Sequence, residues 1–192
     1  MPRTGSDRLV TGRTRQQRQQ EDVMTTMQAI AIPAGTWQVD PVHSSVEFLV
    51  VETHSRFTTV KGRFTDIEGT LTTGDNLGAW RLNGAIRPAS VTTAQEQRDA
   101  HLRSADFLNV AVFPEMRFDS DRFEQVGENV LRVTGRLTMQ GQPQSVSMDI
   151  TVHGQGRTED GAERVVISGS GELSFGPMTV QITAHGSAVK QA

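Results

Sequence analysis

The side chains able to do acid–base or metal chemistry are few and scattered. There are five histidines, His43, His54, His101, His153 and His185. Two pairs with an aspartate stand out: Asp40, three before His43, and Asp99, two before His101. Zinc takes three or four ligands, often closely spaced in sequence. Neither pair has the His-x-x-x-His or Glu-x-x-His spacing that puts two ligands on one helix face. Hydrogen bonding of polar turn residues to backbone is the simpler account of both. A Ser/His/Asp triad can be drawn from Ser44, His101 and one of several aspartates, but no Gly-x-Ser-x-Gly elbow is present to expose the serine. The chain has no Cys, which removes disulfides, thiolate metal sites and a thiolate nucleophile together. No glycine loop of the phosphate-cradling kind appears. A metal-assisted hydrolase would therefore have to bring His43, Asp99 and His101 together from distant positions. The run Arg98-Asp99-Ala100-His101-Leu102-Arg103-Ser104 reads either as a solvated helix face, with Asp99 paired to Arg98 or, at i, i+4, to Arg103, or as the polar rim of a cavity.

The elements that must carry these residues are mostly strands. Eighteen Gly and many Val, Thr and Ser favour β-structure. The 192 residues suffice for one domain with a core, and the net charge of −3 with scattered basic residues argues against nucleic acid as a partner. No apolar run is long enough to span a bilayer as a helix. Residues 1–35 read as a disordered tail, because Arg13–Gln20 offers no apolar side chain to bury. No apolar stretch of signal-peptide length follows the basic N-terminal residues, so the chain reads as cytoplasmic. A start at Met24 or Met27 would remove most of the tail.

From Trp37 onward the pattern alternates. Pro41 fixes a turn at Asp40–Ser45 that feeds a strand with Val46, Phe48 and Val50 on one face. Phe57–Phe64 and Ile67–Thr73 follow as strands. Trp80, Leu82, Gly84 and Ile86 share a face up to Pro88. Thr93-Ala94-Gln95-Glu96 fits a capping box for a short helix over about Ala94–Arg103, with a further turn at Ser104–Leu108. Met116 and Phe118 then share a face, as do Leu131, Val133, Gly135 and Leu137, and Val146, Met148, Ile150 and Val152. Val165, Ile167, Gly169, Gly171, Leu173 and Phe175 line one side of a long strand, and Met178–Ala184 is the last. About nine strands with regular turns imply an antiparallel barrel or sandwich. Gly84, Gly135, Gly169 and Gly171 on apolar faces mark either strand bending or volume withheld from an interior cavity.

Four stretches of this pattern resemble the YceI-like, polyisoprenoid-binding family: Trp37–Phe48 (WQVDPVHSSVEF), Val60–Phe64 (VKGRF), Ser90–Phe107 with Phe113-Pro114 and Phe118-Asp119-Ser120, and Gly135–Gly141 (GRLTMQG). They extend the likeness over residues 36–189. The end departs from the family pattern: Leu173-Ser174-Phe175-Gly176-Pro177 lacks the usual Arg and Asp, and almost no loop follows it. The resemblance implies an all-β fold with one short helix, an extended antiparallel lipocalin-like β-barrel. It implies an apolar tunnel holding a polyprenyl lipid or quinone-like molecule, with no catalytic residues, metal or cofactor, and it leaves room for a homodimer. The resemblance also implies that many relatives are exported. Under this reading the tunnel is lined by Val46, Phe48, Phe64, Trp80, Leu82 and Ile86. Its other wall is Met116, Phe118, Leu137, Met148, Ile150, Ile167 and Phe175. His43, Arg98, Asp99 and His101 form its polar end. The large aromatics also support an alternative: a structural or stress-response module whose interior is filled by its own side chains.

Overall fold

The computed structural model describes residues 30, 32–51, 59–159 and 161–192. The expected tail lies almost wholly outside these residues, as do His54 and the start of the strand expected from Phe57. Eleven strands and one helix are present among them: β1 (Gly35–Val39), β2 (Ser45–Val51), β3 (Thr59–Phe64), β4 (Ile67–Thr73), β5 (Arg81–Ile86) and β6 (Val91–Thr92), then the helix α1 (Glu96–Arg103), then β7 (Met116–Gln125), β8 (Val130–Met139), β9 (Gln142–Arg157), β10 (Glu163–Phe175) and β11 (Met178–Lys190).

All pairings are antiparallel, and β1 pairs with both β4 and β11, so the sheet closes on itself as an eight-stranded barrel. Three of its eight staves are broken in two. β1 and β2 run along successive stretches of β11, with Trp37 opposite Lys190 and Val46 opposite Ala184. β4 and β3 lie beside them in turn, and β5 and β6 beside those. The breaks fall at the same level. Pro41 and Pro88 each open a short 3-10 turn, because a residue without an N–H cannot continue a ladder. Side chains replace the missing bonds. Thr65 and Asp66 donate their amides to Ser90 Oγ at 3.2 and 3.0 Å, and Ser90 Oγ donates to Arg87 O at 2.7 Å. On the other side Asp40 N donates to Ser187 O at 2.9 Å, and Ser187 N to Ser44 Oγ at 3.2 Å.

The last strand runs to Lys190 and not to Ala184 as expected. Of its extra residues, Ala188–Lys190 pair with β1 and close the ring, a long-range pairing that no local pattern signals. The helix starts at Glu96, and the capping box is absent: Gln95 is the N-cap and its side chain accepts from Arg98 N. Thr93 is drawn away to Asp99. Ser104–Leu108 forms turns, with Asn109 at a φ of +47°.

The interior is divided along the barrel axis. At one end Ile32, Trp37, Leu71, Trp80, Phe123, Leu131, Val133, Val152, Val165 and Ala188 form a buried cluster. At the other, Phe64, Ile67, Val91 and Met116 form a smaller one, with Leu102 and Leu108 packing onto it from the helical segment. No helix among the described residues is long and apolar enough to cross a membrane.

Candidate functional site

Between these clusters and the turn that joins β10 to β11 the barrel is hollow. The cavity measures about 520 Å³, within the range of pockets that hold small ligands. Its surface is almost entirely apolar, given by aliphatic, aromatic, methionine and glycine residues, with Glu68, Glu172 and His185 among the few polar residues that border it. Inward residues of β2, β3, β5 and β7 contribute Val46 and Phe48, Phe64, Leu82 and Ile86, and Met116 and Phe118. From β8, β9 and β10 come Leu137, Met148 and Ile150, and Ile167 and Phe175. The period-two faces read from the sequence thus point inward.

Glycine supplies part of the volume. Gly84, Gly169 and Gly171 border the cavity. A Cβ at Gly84 would meet only Glu68 O, at 3.7 Å, so this glycine withholds volume and nothing else. Gly135 is different: a Cβ there would lie 2.4 Å from Asp119 O and 2.6 Å from Phe118 Cζ, beside the bulge at Asp121. It is a close-approach glycine, as is Gly171, where a Cβ would lie 2.8 Å from Ser147 O. Gly62 plays the same part opposite Phe48, whose ring packs against Phe64 at 5.5 Å.

The polar residues expected at one end separate. Arg98 and His101 border the cavity on the helix side, together with Leu102, Phe107 and Leu108. Arg98 donates from Nε to Thr93 Oγ1 at 2.8 Å and from Nη2 to Thr93 O at 3.0 Å. His101 stacks edge-on to Phe107 at 4.8 Å and lies 3.8 Å from Asp106. His43 does not line the cavity. Its side chain is exposed, and its ring Nδ1 is 2.7 Å from Asp40 Oδ2, which also takes Arg164 at 3.0 Å. The His43 hydrogen bond comes first among the causes that hold Asp40 below the usual carboxylate range, against a smaller cost of burial.

Asp99 is also removed from the cavity wall, and the expected pairing with Arg103 is replaced. Arg103 donates to the carbonyls of Ala89 at 2.8 Å and Val91 at 2.6 Å, tying α1 to the barrel. Asp99, only 6% exposed, accepts from Thr93 N and Thr93 Oγ1 at 2.8 and 2.5 Å. Burial alone would raise its pKa. The hydrogen bonds from Thr93 and Thr92 and the charge of Arg103 outweigh burial and leave it lowered. A lowered folded pKa stabilises the fold above the unfolded value and is lost as pH falls through the folded one. D99N should therefore cost about 1–3 kcal/mol at neutral pH. Urea titrations should show the gap to the unmodified protein narrowing below the ordinary carboxylate range. A gap that stays constant with pH would mean the carboxylate is not the source.

Trp80, expected in the tunnel wall, does not border the cavity. It lies in the buried cluster, 3% exposed, edge-on to Phe123 at 5.7 Å, with Nε1 donating to Gly74 O at 3.0 Å. The sequence reading missed Met139, Met178 and Ile182 as lining residues. Met139 closes the β8 face, and Met178 and Ile182 stand at a spacing of four on β11, so period-two counting would have found them. Among the described residues no group of three His, Asp or Glu could hold a metal. His43, Asp99 and His101 each have separate partners, so the hydrolase reading lacks a convergent site.

A family model described as the YceI-like domain matches residues 37–191. The chain is 36% identical over 134 residues to Protein YceI of Salmonella newport, covering 69% of each. Its fold is similar to the crystal structure of BcnA from Burkholderia cenocepacia, with a TM-score of 0.66 at 19% identity over 78% of this chain and 98% of that one. It is also similar to a polyisoprenoid binding domain from Saccharophagus degradans implicated in plant cell wall breakdown, with a TM-score of 0.58 at 15% identity over 81% of this chain and 98% of that one.

Proposed function

Because the chain belongs to the YceI-like family, we propose that it is a non-catalytic binding and carrier protein for an isoprenoid or similar long apolar lipid, polyprenyl or quinone-like, held inside the barrel. The observation that carries this reading is the apolar cavity of about 520 Å³ enclosed by the staves. Its wall has methionine, aliphatic and aromatic groups to replace water around a hydrocarbon chain, each buried methylene being worth about 0.8 kcal/mol. Arg98 and His101, on the helix side, are the cationic and hydrogen-bonding groups placed to meet a polar head. The polyisoprenoid binding named for the Saccharophagus degradans domain supports the same ligand class. A filled-core module accounts for the cluster around Trp37 and Trp80, but not for the hollow half.

Native mass spectrometry of the purified protein, followed by organic extraction, tests the proposal. The expected result is a bound isoprenoid or quinone that is released when the protein unfolds. A ligand-free mass that stays ligand-free after incubation with polyprenyl lipids would overturn it.

A further inference from the structure

A cavity for a chain-like ligand has a mouth, a wall and an end, and here the end can be identified. Four residues both line the cavity and pack against the buried cluster beyond it: Leu82, Phe118, Ile150 and Ile167. They come from β5, β7, β9 and β10, so they form a layer across the barrel. Behind them Val133, Leu131 and Trp80 are 1–3% exposed, and none of the three borders the cavity. Phe118 is the largest of the four. Its ring leaves β7 and reaches over β8 so closely that a Cβ at Gly135 would lie 2.6 Å from Phe118 Cζ. Any side chain at 135 would push the ring out of this position. The ring is therefore fixed from below by a glycine and from behind by close-packed core.

We propose that Phe118, seated over Gly135, is the stop that sets the longest apolar chain the barrel accepts. The inference rests on the lipid-binding reading and adds a length limit to it. A chain entering past Met178 gains affinity with each methylene until its tip meets the ring. Beyond that length, added carbons remain outside the cavity and contribute little. Each buried methylene corresponds to about a four-fold gain in affinity, so the limit should appear as a sharp break in a plot of log Kd against chain length.

The test uses the full chain and a homologous series of n-alkanols lengthened by single methylenes, with Kd measured by displacement of a fluorescent fatty probe. The unmodified protein should show a steep slope followed by a plateau. F118A opens space on the order of 100 Å³, comparable to engineered cavities that take up benzene, and should move the break to longer chains by roughly three carbons. F118L should move it less, in the same direction, and serves if F118A folds poorly. M178A, at the opposite end of the cavity, should weaken all chain lengths alike and leave the break in place. A break that stays put in folded F118A or F118L, or a slope in the unmodified protein that never levels, overturns the stop. Failure of every alkanol and of the polyprenyl lipids to bind would instead overturn the lipid-binding reading itself.

Discussion

Trp37→Ala is expected to lower stability by about 3–5 kcal/mol, the range for truncating a buried tryptophan, and to be the most damaging single substitution in the barrel. Trp37 is 1% exposed. It lies on β1, between Leu71 of β4 and Lys190 of β11, at the point where the ring closes. Its Nε1 donates to Thr73 Oγ1 at 3.1 Å and to Pro33 O at 3.2 Å. Thr73 is itself buried and donates to Pro33 O at 2.7 Å. Truncation thus opens a void, removes the indole donor and loosens the segment that leads into β1. For a chain of this size each kcal/mol moves the melting temperature by about 2–4 °C, so differential scanning calorimetry should find a fall of roughly 10 °C. W37F, which keeps most of the volume, should recover the larger part. A W37A protein within about 1 kcal/mol of the unmodified one would mean the seam is not held by this residue.

Gly84→Phe should have the opposite signature: ligand capture lost, stability kept. Gly84 faces the cavity on β5, with only Glu68 O near a prospective Cβ at 3.7 Å, and its backbone needs no special conformation. A glycine in mid-strand is the least favourable residue for the unfolded-to-folded entropy change, so its replacement tends to stabilise by roughly 0.5–1 kcal/mol. The new ring would occupy the space a ligand chain needs. Affinity for chains that fill the cavity should fall at least about ten-fold, that is by about 1.4 kcal/mol, with the melting temperature unchanged or raised. Probe displacement and calorimetry on the same sample check both halves. Loss of binding accompanied by unfolding would refute the prediction, as would undiminished binding.

These two sites show what the amino-acid pattern could and could not disclose. Alternation along β8 and β9 placed Leu131, Val133 and Leu137 on one face and Met148, Ile150 and Val152 on another, and both faces point inward. The pattern had no means of marking where filling stops. Val133 is 1% exposed in the packed end, while Leu137, four residues later, borders empty space. Trp80 and Leu82 divide in the same way across one turn of pleat. The difference is set by which side chains arrive from other staves. Gly84 and Gly135 look alike in sequence; one stands clear and the other lies 2.4 Å (to a prospective Cβ) from a neighbouring carbonyl. The helix charges failed for a related reason. Local spacing offered Asp99 either Arg98 or Arg103 as a partner, but a nearly buried carboxylate gains more from the Thr93 amide and hydroxyl. Arg103 in turn reaches carbonyls of a segment the sequence pattern does not place beside it.

The closing pairing has a kinetic consequence. β1 is the first of the eleven strands and β11 the last, yet Trp37–Val39 pair with Ala188–Lys190, and Gln191 N reaches Thr36 O at 2.8 Å. Every other stave can zip to a neighbour close in the chain, but the ring cannot shut until the two extremes meet. Such non-local closure is entropically costly and slow. A growing chain therefore holds an open, curved sheet whose greasy inner surface faces water until the final strand emerges. In that interval an unclosed β1 edge and the same edge of another chain compete for one partner. Refolding yield should accordingly depend on protein concentration far more steeply than the equilibrium stability of the closed barrel would suggest.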